Sequence, residues 1–221
     1  MKTTRRGFIA NTAAALAAPM IVRSSALGAD GATAPSNRIN LAIIGTGNMG
    51  TAIGGVPADA GSAVEHVSHD AVGTAPLTGH FVVLAVPYPA VNGIIDAYGD
   101  QFDGKTVIDI SNPLNFETFD SRVVPADSSA AAEIAAKLPN STVLKAFNTN
   151  FAATLASGTV GDLPTTVLIA GDDADAKSTL AGIVASGGLK AVDAGSLQRA
   201  RELEAIGFLQ ITLAAGEKVS W

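Results

Sequence analysis

Apolar residues recur along this chain in two rhythms, and the two rhythms alternate. Residues 39–44 form a short apolar run that stops at a glycine, which predicts a buried strand. Similar runs occupy 81–86 before Pro87, 106–110 before Ser111-Asn112-Pro113, 143–147 and 166–170. Between them the spacing lengthens to three and four. Val91, Ile94, Ile95 and Tyr98 mark a helix over 88–98. Ala131, Ile134, Ala135 and Leu138 mark another, with Ser128-Ser129 placed to cap it. Residues 173–186 read as a helix and 190–193 as a short strand. A closing helix over 197–215 carries the stripe Leu203, Ile206, Gln210 and Leu213, which faces either the core or a second copy in a homodimer. Strands alternating with helices through short Gly and Asp turns predict a doubly wound α/β fold with a mainly parallel sheet.

The first strand runs directly into Gly45-Thr46-Gly47-Asn48-Met49-Gly50. This G-x-G-x-x-G loop stands in the strand-to-helix setting of a Rossmann-type dinucleotide site. In such a loop the first glycine permits the tight turn and the second lets backbone approach a pyrophosphate. The third brings helix against strand, and the helix N-terminal amides stabilise the phosphates. The following stretch is less regular. Gly54, Gly55 and Pro57 fall where the first helix should propagate, which predicts a broken helix. The second strand is expected at 63–67, ending in Ser68-His69-Asp70 at the ribose-reading position, about 20 residues past the loop. An acid there favours NAD and an arginine favours NADP; an imidazole, largely uncharged at neutral pH, leaves the choice open. His66, His69 and His80 also read as ordinary surface or core histidines. Residues 71–80 are too few for a further helix and strand, since a βαβ unit takes roughly 30 residues. Either one such pair is missing or the segment is a divergent loop.

Composition narrows the partners. Hydrophobic residues make up 48% and charged residues 15%, enough for a sizeable core. The chain has no cysteine, which excludes disulfides, thiolate catalysis and zinc–thiolate sites; no metal site is expected. The formal charge is −6, and removing the first 29 residues takes away four cations and no carboxylate, leaving −10. That balance argues against nucleic acid or an anionic membrane as the partner. A small anionic ligand remains compatible, because a helix N-terminus binds phosphate without lysine. Thr4-Arg5-Arg6-Gly7-Phe8-Ile9 precedes a mild apolar run interrupted by Asn11 and Pro19, the pattern of a twin-arginine signal. The expectation is a signal and linker over 1–37, with the twin-arginine translocation machinery as partner. The mature protein would be soluble, without a membrane span, and periplasmic or secreted. An NAD(P)-binding domain over 38–150, abbreviated after Asp70, and a small C-terminal helical or α/β part over 151–221 complete the plan.

Further motifs follow the glycine loop in order: Val83-Leu84-Ala85-Val86-Pro87-Tyr88, Asp109-Ile110-Ser111-Asn112-Pro113 and Ser129-Ala130-Ala131-Ala132-Glu133-Ile134. Val143-Leu144-Lys145-Ala146-Phe147-Asn148-Thr149, Ala170-Gly171-Asp172-Asp173 and Asp193-Ala194-Gly195-Ser196-Leu197 lead on to Ala200-Arg201-Glu202-Leu203-Glu204. With these motifs the chain resembles the coenzyme F420-dependent NADP oxidoreductases over nearly all of its expected mature length. The resemblance implies a dinucleotide domain with a smaller C-terminal part completing the cleft. It implies NADP(H) ahead of NAD(H), coenzyme F420 or a flavin as co-substrate, and a small-molecule redox reaction. Hydride would pass directly between the two rings, so no catalytic acid or base is implied. By position, Thr46, Gly47, Asn48 and Met49, framed by Gly45 and Gly50, would hold the pyrophosphate. Ser68 and His69 would face the adenosine ribose, where the family usually has Ser-Arg or Thr-Arg. Val86 and Pro87 would flank the nicotinamide, and Ala146 with Asn148 would line the hydride cleft. Residues 114–126 would border the second substrate or form an exposed loop. Two rival readings stand beside this one: reduction of a small imine or ketone with the same cofactor, and an exported dinucleotide-binding protein without turnover.

Overall fold

The computed structural model describes residues 39–59 and 62–218; the signal and linker expected at 1–37 lie outside the described residues. The strands in chain order are β1 (Asn40–Ile44), β2 (Ala63–Val67), β3 (Phe81–Leu84), β4 (Thr106–Asp109) and β5 (Thr142–Ala146). A separate hairpin of β6 (Thr159–Val160) and β7 (Leu163–Pro164) precedes β8 (Thr166–Gly171) and β9 (Lys190–Gly195). Helices α1 (Asn48–Asp59), α2 (Tyr88–Tyr98), α3 (Ala130–Lys137), α4 (Ala152–Ser157), α5 (Ala174–Ser186) and α6 (Ala200–Ala215) lie between and after them. The sheet order is β2-β1-β3-β4-β5-β8-β9, with β8 antiparallel to β5 and every other pairing parallel. From Ile39 on the chain forms one compact unit, and the last two strands extend the same sheet.

Each inner strand is buried on both faces, as parallel strands covered by helices must be. Leu41 and Ile43 of β1 point to the layer of α1, α4 and α5, packing with Ile53, Leu155 and Ile183. Ala42 and Ile44 point the other way, to Val91, Ile95 and Ala131 under α2 and α3. The period-two alternation of one strand thus serves two cores.

Helix α1 corrects the expectation of a broken first helix, for it is continuous from Asn48 to Asp59. Gly54 is where the helix touches the sheet: a Cβ there would sit 2.6 Å from the His66 ring and 3.1 Å from Ile43. On another side Gly187, just past α5, lies so close that its own Cβ would come within 2.7 Å of the Val56 carbonyl. Pro57 falls in the last turn, where little helix remains to propagate. Burial of Ile53 and Val56 outweighs the poor propensity.

Between β2 and β3 there is neither helix nor strand, only a 3-10 turn (His69–Ala71) and a loop that returns across β1. The loop fills the missing helix's place with Ala71, Val72, Ala75 and Leu77, packed against the core beneath α2. Its backbone is tied down as it approaches β3. The Leu77 amide donates to Gln101 Oε1 (3.1 Å) and the His80 amide to the Asn40 carbonyl (2.9 Å).

A group of three charges, none of them exposed, ties the adjacent strands β4 and β5 to α6. Lys145 Nζ on β5 donates to Asp109 Oδ2 at the end of β4 (2.7 Å) and to the Ser111 carbonyl (2.6 Å), and contacts Glu204 Oε1 on α6 (2.9 Å). Glu204 in turn accepts the Ala130 and Ala131 amides at the start of α3. The closing helix therefore buries Ala200, Leu203, Glu204 and Gly207. That face corrects the expected apolar stripe: Ile206 is 44% exposed, and Gln210 and Leu213 are only half-buried. Gly207 explains the rotation, since a Cβ there would lie 2.2 Å from Asn112 Oδ1, and no larger residue could face the sheet so closely.

Burial pushes the Glu204 carboxyl above its ordinary value of 4.5, although Lys145 pulls the other way. The folded chain thus holds this proton more tightly than the unfolded chain. The group's contribution to stability is present below about pH 4.5 and is lost as the pH rises through the raised folded value. The stability of the wild type relative to Glu204→Gln is expected to fall as the pH rises from 4.5 toward neutral, and a flat difference would contradict the assignment. Replacing Lys145 by Met leaves two buried carboxylates facing each other and should cost about 3–5 kcal/mol in urea unfolding.

Candidate functional site

In the sheet, β1 lies between β2 and β3, so the chain steps to one side of β1 and then to the other. The crevice above the carboxyl ends of β1 and β3 is the topological switch point, where open α/β sheets bind ligands. The glycine loop occupies it. Gly45 has φ 109°, and a Cβ there would lie 2.3 Å from the Ala85 carbonyl oxygen. A Cβ at Gly50 would lie 2.1 Å from the Gly45 carbonyl oxygen. These two glycines are required by the protein itself. Gly47 is different: its φ is not in the left-handed region, and no protein atom lies within 4 Å of where its Cβ would be. The backbone there is open to an outside group, and the first turn of α1 directs its amides to the same place.

Three cavities follow one another along this edge. One of about 510 Å³ has Thr46 and His69 at its rim and Val72, Ala90, Gly93 and Ile94 on its walls. The second, about 360 Å³, runs from Gly47, Asn48, Met49 and Gly50 to Ile110, Ser111, Asn112, Phe116 and Ile211. Val86 and Pro87 border both. The third, about 300 Å³, shares Met49, Ile110, Asn112 and Ile211 with the second and continues to Asn148, Asn150 and Gln210. The three share walls along one groove and are mainly apolar, with the open loop backbone between them. Another cavity, about 570 Å³, lies away from the loop beside Ser128 and Arg199. The amides of α3 near it already bond Glu204 and the Ser129 hydroxyl.

The far wall is held rigidly. Asp109 Oδ1 accepts the Ser111 amide (2.8 Å), and Lys145 grips the Ser111 carbonyl, so the turn at 111–112 is fixed from below. Phe147 adopts φ 61°, a left-handed turn that brings Asn148 toward α6. Asn148 Nδ2 then donates to the Leu203 carbonyl (2.8 Å) and to Asn112 Oδ1 (3.0 Å). Ser111 Oγ, Asn148 Oδ1 and Asn150 Oδ1 are buried without a hydrogen-bond partner, and all three residues line the second or third cavity. Unmatched buried polar atoms are uncommon, and a polar ligand is one ordinary reason for them. Open backbone at Gly47, apolar walls and unmatched polar atoms fit a nicotinamide dinucleotide. Tyr88 is not part of this wall: its hydroxyl donates to Glu133, and burial with that carboxylate raises its pKa.

Among the sequence-predicted residues, Gly45, Thr46, Gly47, Asn48, Met49, Gly50, Val86 and Pro87 come together at the groove, with His69 at its rim. Ser68 is exposed one residue before His69 at the end of β2. Asn148 reaches the third cavity, whereas Ala146 is fully buried in the core and lines none of the three. Phe116 at the second cavity belongs to the 114–126 segment expected to border the second substrate, whereas Gly93 and Ile211 were not anticipated. Gly93 carried a usable signal, a lone glycine in the middle of an otherwise regular helix.

The described residues thus form a Rossmann-type dinucleotide fold. No protein-family model matches the chain. Two curated proteins and a solved structure are similar to it. Metalloreductase STEAP3 of Rattus norvegicus is 40% identical over 107 residues, 48% of this chain and 21% of that protein. The F420-dependent NADP reductase of Methanocaldococcus jannaschii is 29% identical over 139 residues, 61% of this chain and 62% of that protein. The chain spans less than two thirds of the length of either. A crystal structure of a proposed F420-dependent NADP reductase from Arthrobacter sp. FB24 superposes with a TM-score of 0.70 at 23% identity, covering 82% of this chain and 96% of that one. These similarities support the resemblance carried by the sequence motifs.

The three glycines should respond differently to substitution. Gly45→Ala and Gly50→Ala are expected to destabilise by about 1–3 kcal/mol through overpacking against backbone. Gly47→Val should leave unfolding within about 0.5 kcal/mol of wild type. The same variant should lose the melting-temperature rise that NADPH gives the wild type. Full retention of that rise would place the nucleotide elsewhere.

Proposed function

We propose that the chain is an NADP(H)-dependent oxidoreductase that passes hydride between nicotinamide and a deazaflavin- or flavin-like acceptor. The observation that carries this reading is Gly47, a glycine that the protein's own packing does not require, set at the mouth of α1. The relatives with NADP-reductase names support the choice of nucleotide. A bound NADPH would supply the hydride. Thr46 to Met49 would hold the pyrophosphate, and Val86 and Pro87 would flank the nicotinamide. Asn112 and Asn148 would form the floor against which the second ring lies.

The residues lining the second and third cavities include no ionisable side chain. Reduction of a small ketone or imine adds a proton to the heteroatom as well as a hydride to carbon, and this lining offers hydroxyl and amide groups but no acid that titrates near neutral pH. Ring-to-ring hydride transfer needs alignment instead, and alignment alone is a large catalytic term. Phe116 supports an aromatic acceptor. It is half exposed at the second cavity, braced edge-on by Phe119 at 5.9 Å. Asn115 Oδ1 and the Asn115 carbonyl fasten the loop that carries both.

The Thr4-Arg5-Arg6 leader supports export by the twin-arginine machinery to the periplasm or beyond. The exposed Ile206 and Leu209 on α6 support a homodimer, which light scattering on the purified protein would test.

Titration with NADPH followed by melting temperature tests the nucleotide reading. At 100 times the dissociation constant the gain should be about 2.7 kcal/mol. With NADPH bound, adding F420 or a flavin should oxidise it, and Phe116→Ala should raise KM for the acceptor while leaving NADPH affinity unchanged. Absence of any shift with NADPH or NADH would favour a protein without this activity. Binding without oxidation by either ring would remove the deazaflavin and flavin assignment and leave the nucleotide site standing.

A further inference from the structure

The cavity at the β2 end of the groove has a wall that the helix does not explain. Gly93 lies in the middle of α2, where glycine is the least favourable residue after proline. It is exposed, its φ is not in the left-handed region, and no protein atom lies within 4 Å of where a Cβ would stand. The buried face of α2 is carried by Val91, Ile94, Ile95 and Tyr98, so Gly93 takes no part in the core. Its position on the cavity wall, with Val72 opposite in the shortened crossover, leaves clearance for a flat ring.

The rim of the same cavity is poor in positive charge. Its lining holds no lysine or arginine, and its one basic residue is His69. The His69 ring is fully exposed, and its Nδ1 lies 3.3 Å from the carboxylate of Asp70, which is also fully exposed. A ribose 2′-phosphate placed here would meet an imidazole already facing an acid, where NADP-selective sites of this fold place an arginine. A free 2′-hydroxyl would meet a pair of groups able to accept or donate.

Resting on the dinucleotide reading above, we propose that this chain holds the adenosine half of the nucleotide by shape, with the base over Gly93. His69 and Asp70 then read the ribose without selecting the phosphate. The protein accepts NADH as well as NADPH, with dissociation constants within about tenfold of each other, a difference of at most about 1.4 kcal/mol.

Calorimetric titration of the purified protein with NADPH, NADH and adenosine 2′,5′-bisphosphate tests this, alongside melting of the ligand-free variants. Gly93→Leu is expected to raise the ligand-free melting temperature by about 2–4 °C, because it restores helix propensity at an exposed site. The same variant should weaken NADH and NADPH equally, by more than tenfold. His69→Arg should tighten NADPH relative to NADH by at least tenfold, and the bisphosphate by a similar factor, because it supplies the cation a 2′-phosphate needs. A wild-type preference for NADPH beyond tenfold overturns the lack of selection. A Gly93→Leu variant that binds both nucleotides as wild type does removes the base from that wall. If the wild type binds neither NADPH nor NADH, it is the oxidoreductase reading itself that fails. Binding of NADPH without the Gly93 effect leaves that reading intact and sinks only this one.

Discussion

Lys145 is the buried charge on which the wall of the groove depends, for it ties β4, β5 and α6 together at one point. Its ammonium group is withdrawn from water together with two carboxylates, and removing ions from water is costly unless their contacts are nearly ideal. Here they are, for each carboxylate also accepts backbone amides, Asp109 from Ser111 and Glu204 from Ala130 and Ala131. The geometry therefore admits little slack. It fixes the end of β4, the start of α3 and the seat of α6 relative to β5. The wall of the groove at 110–112 is part of that framework, so the shape of the groove there is set by a charge cluster beneath it rather than by the loop's own propensity.

Much of the fold was legible because apolar period reports burial. The helix at Tyr88–Tyr98 coincides with its sequence pattern, and the strands of the main sheet fall within a residue or two of the predicted runs, whereas the β6–β7 hairpin had no predicted counterpart. The failures share a cause: local propensity was read where distant packing decides. Gly54 and Gly207 looked like weaknesses in a helix, or like nothing at all. Each is a point of close approach, to His66 and to Asn112, that no local pattern announces. The charge cluster escaped for the same reason, although a lysine embedded in the apolar run Val143-Leu144-Lys145-Ala146 was a fair warning. A cation in a strand buried on both faces must have partners somewhere in the chain.

The site was legible in proportion to how local it is. The glycine loop, contiguous and in its structural setting, could be read from six residues. The rest of the groove is assembled from the ends of β3, β4 and β5, from α2 and from α6, and only topology brings them together. The abbreviated crossover after β2 is the clearest departure from a full dinucleotide unit. Its apolar residues replace a helix's worth of cover on one face, and Val72 among them becomes a wall of the first cavity.

That shortening also changes the outline of the sheet. With no strand beyond it among the described residues, β2 becomes a margin whose outer row of amides and carbonyls is a template for another chain. The sequence of β2 tempers the hazard. It is only five residues long, and Glu65 and His66 stand in it where a sheltered strand would carry valine or isoleucine. Glu65 is further engaged by the Thr78 hydroxyl at 2.7 Å, so its charge stays at the rim of the sheet. A short, polar margin discourages edge-to-edge stacking, which lets the sheet end at β2 without inviting another strand.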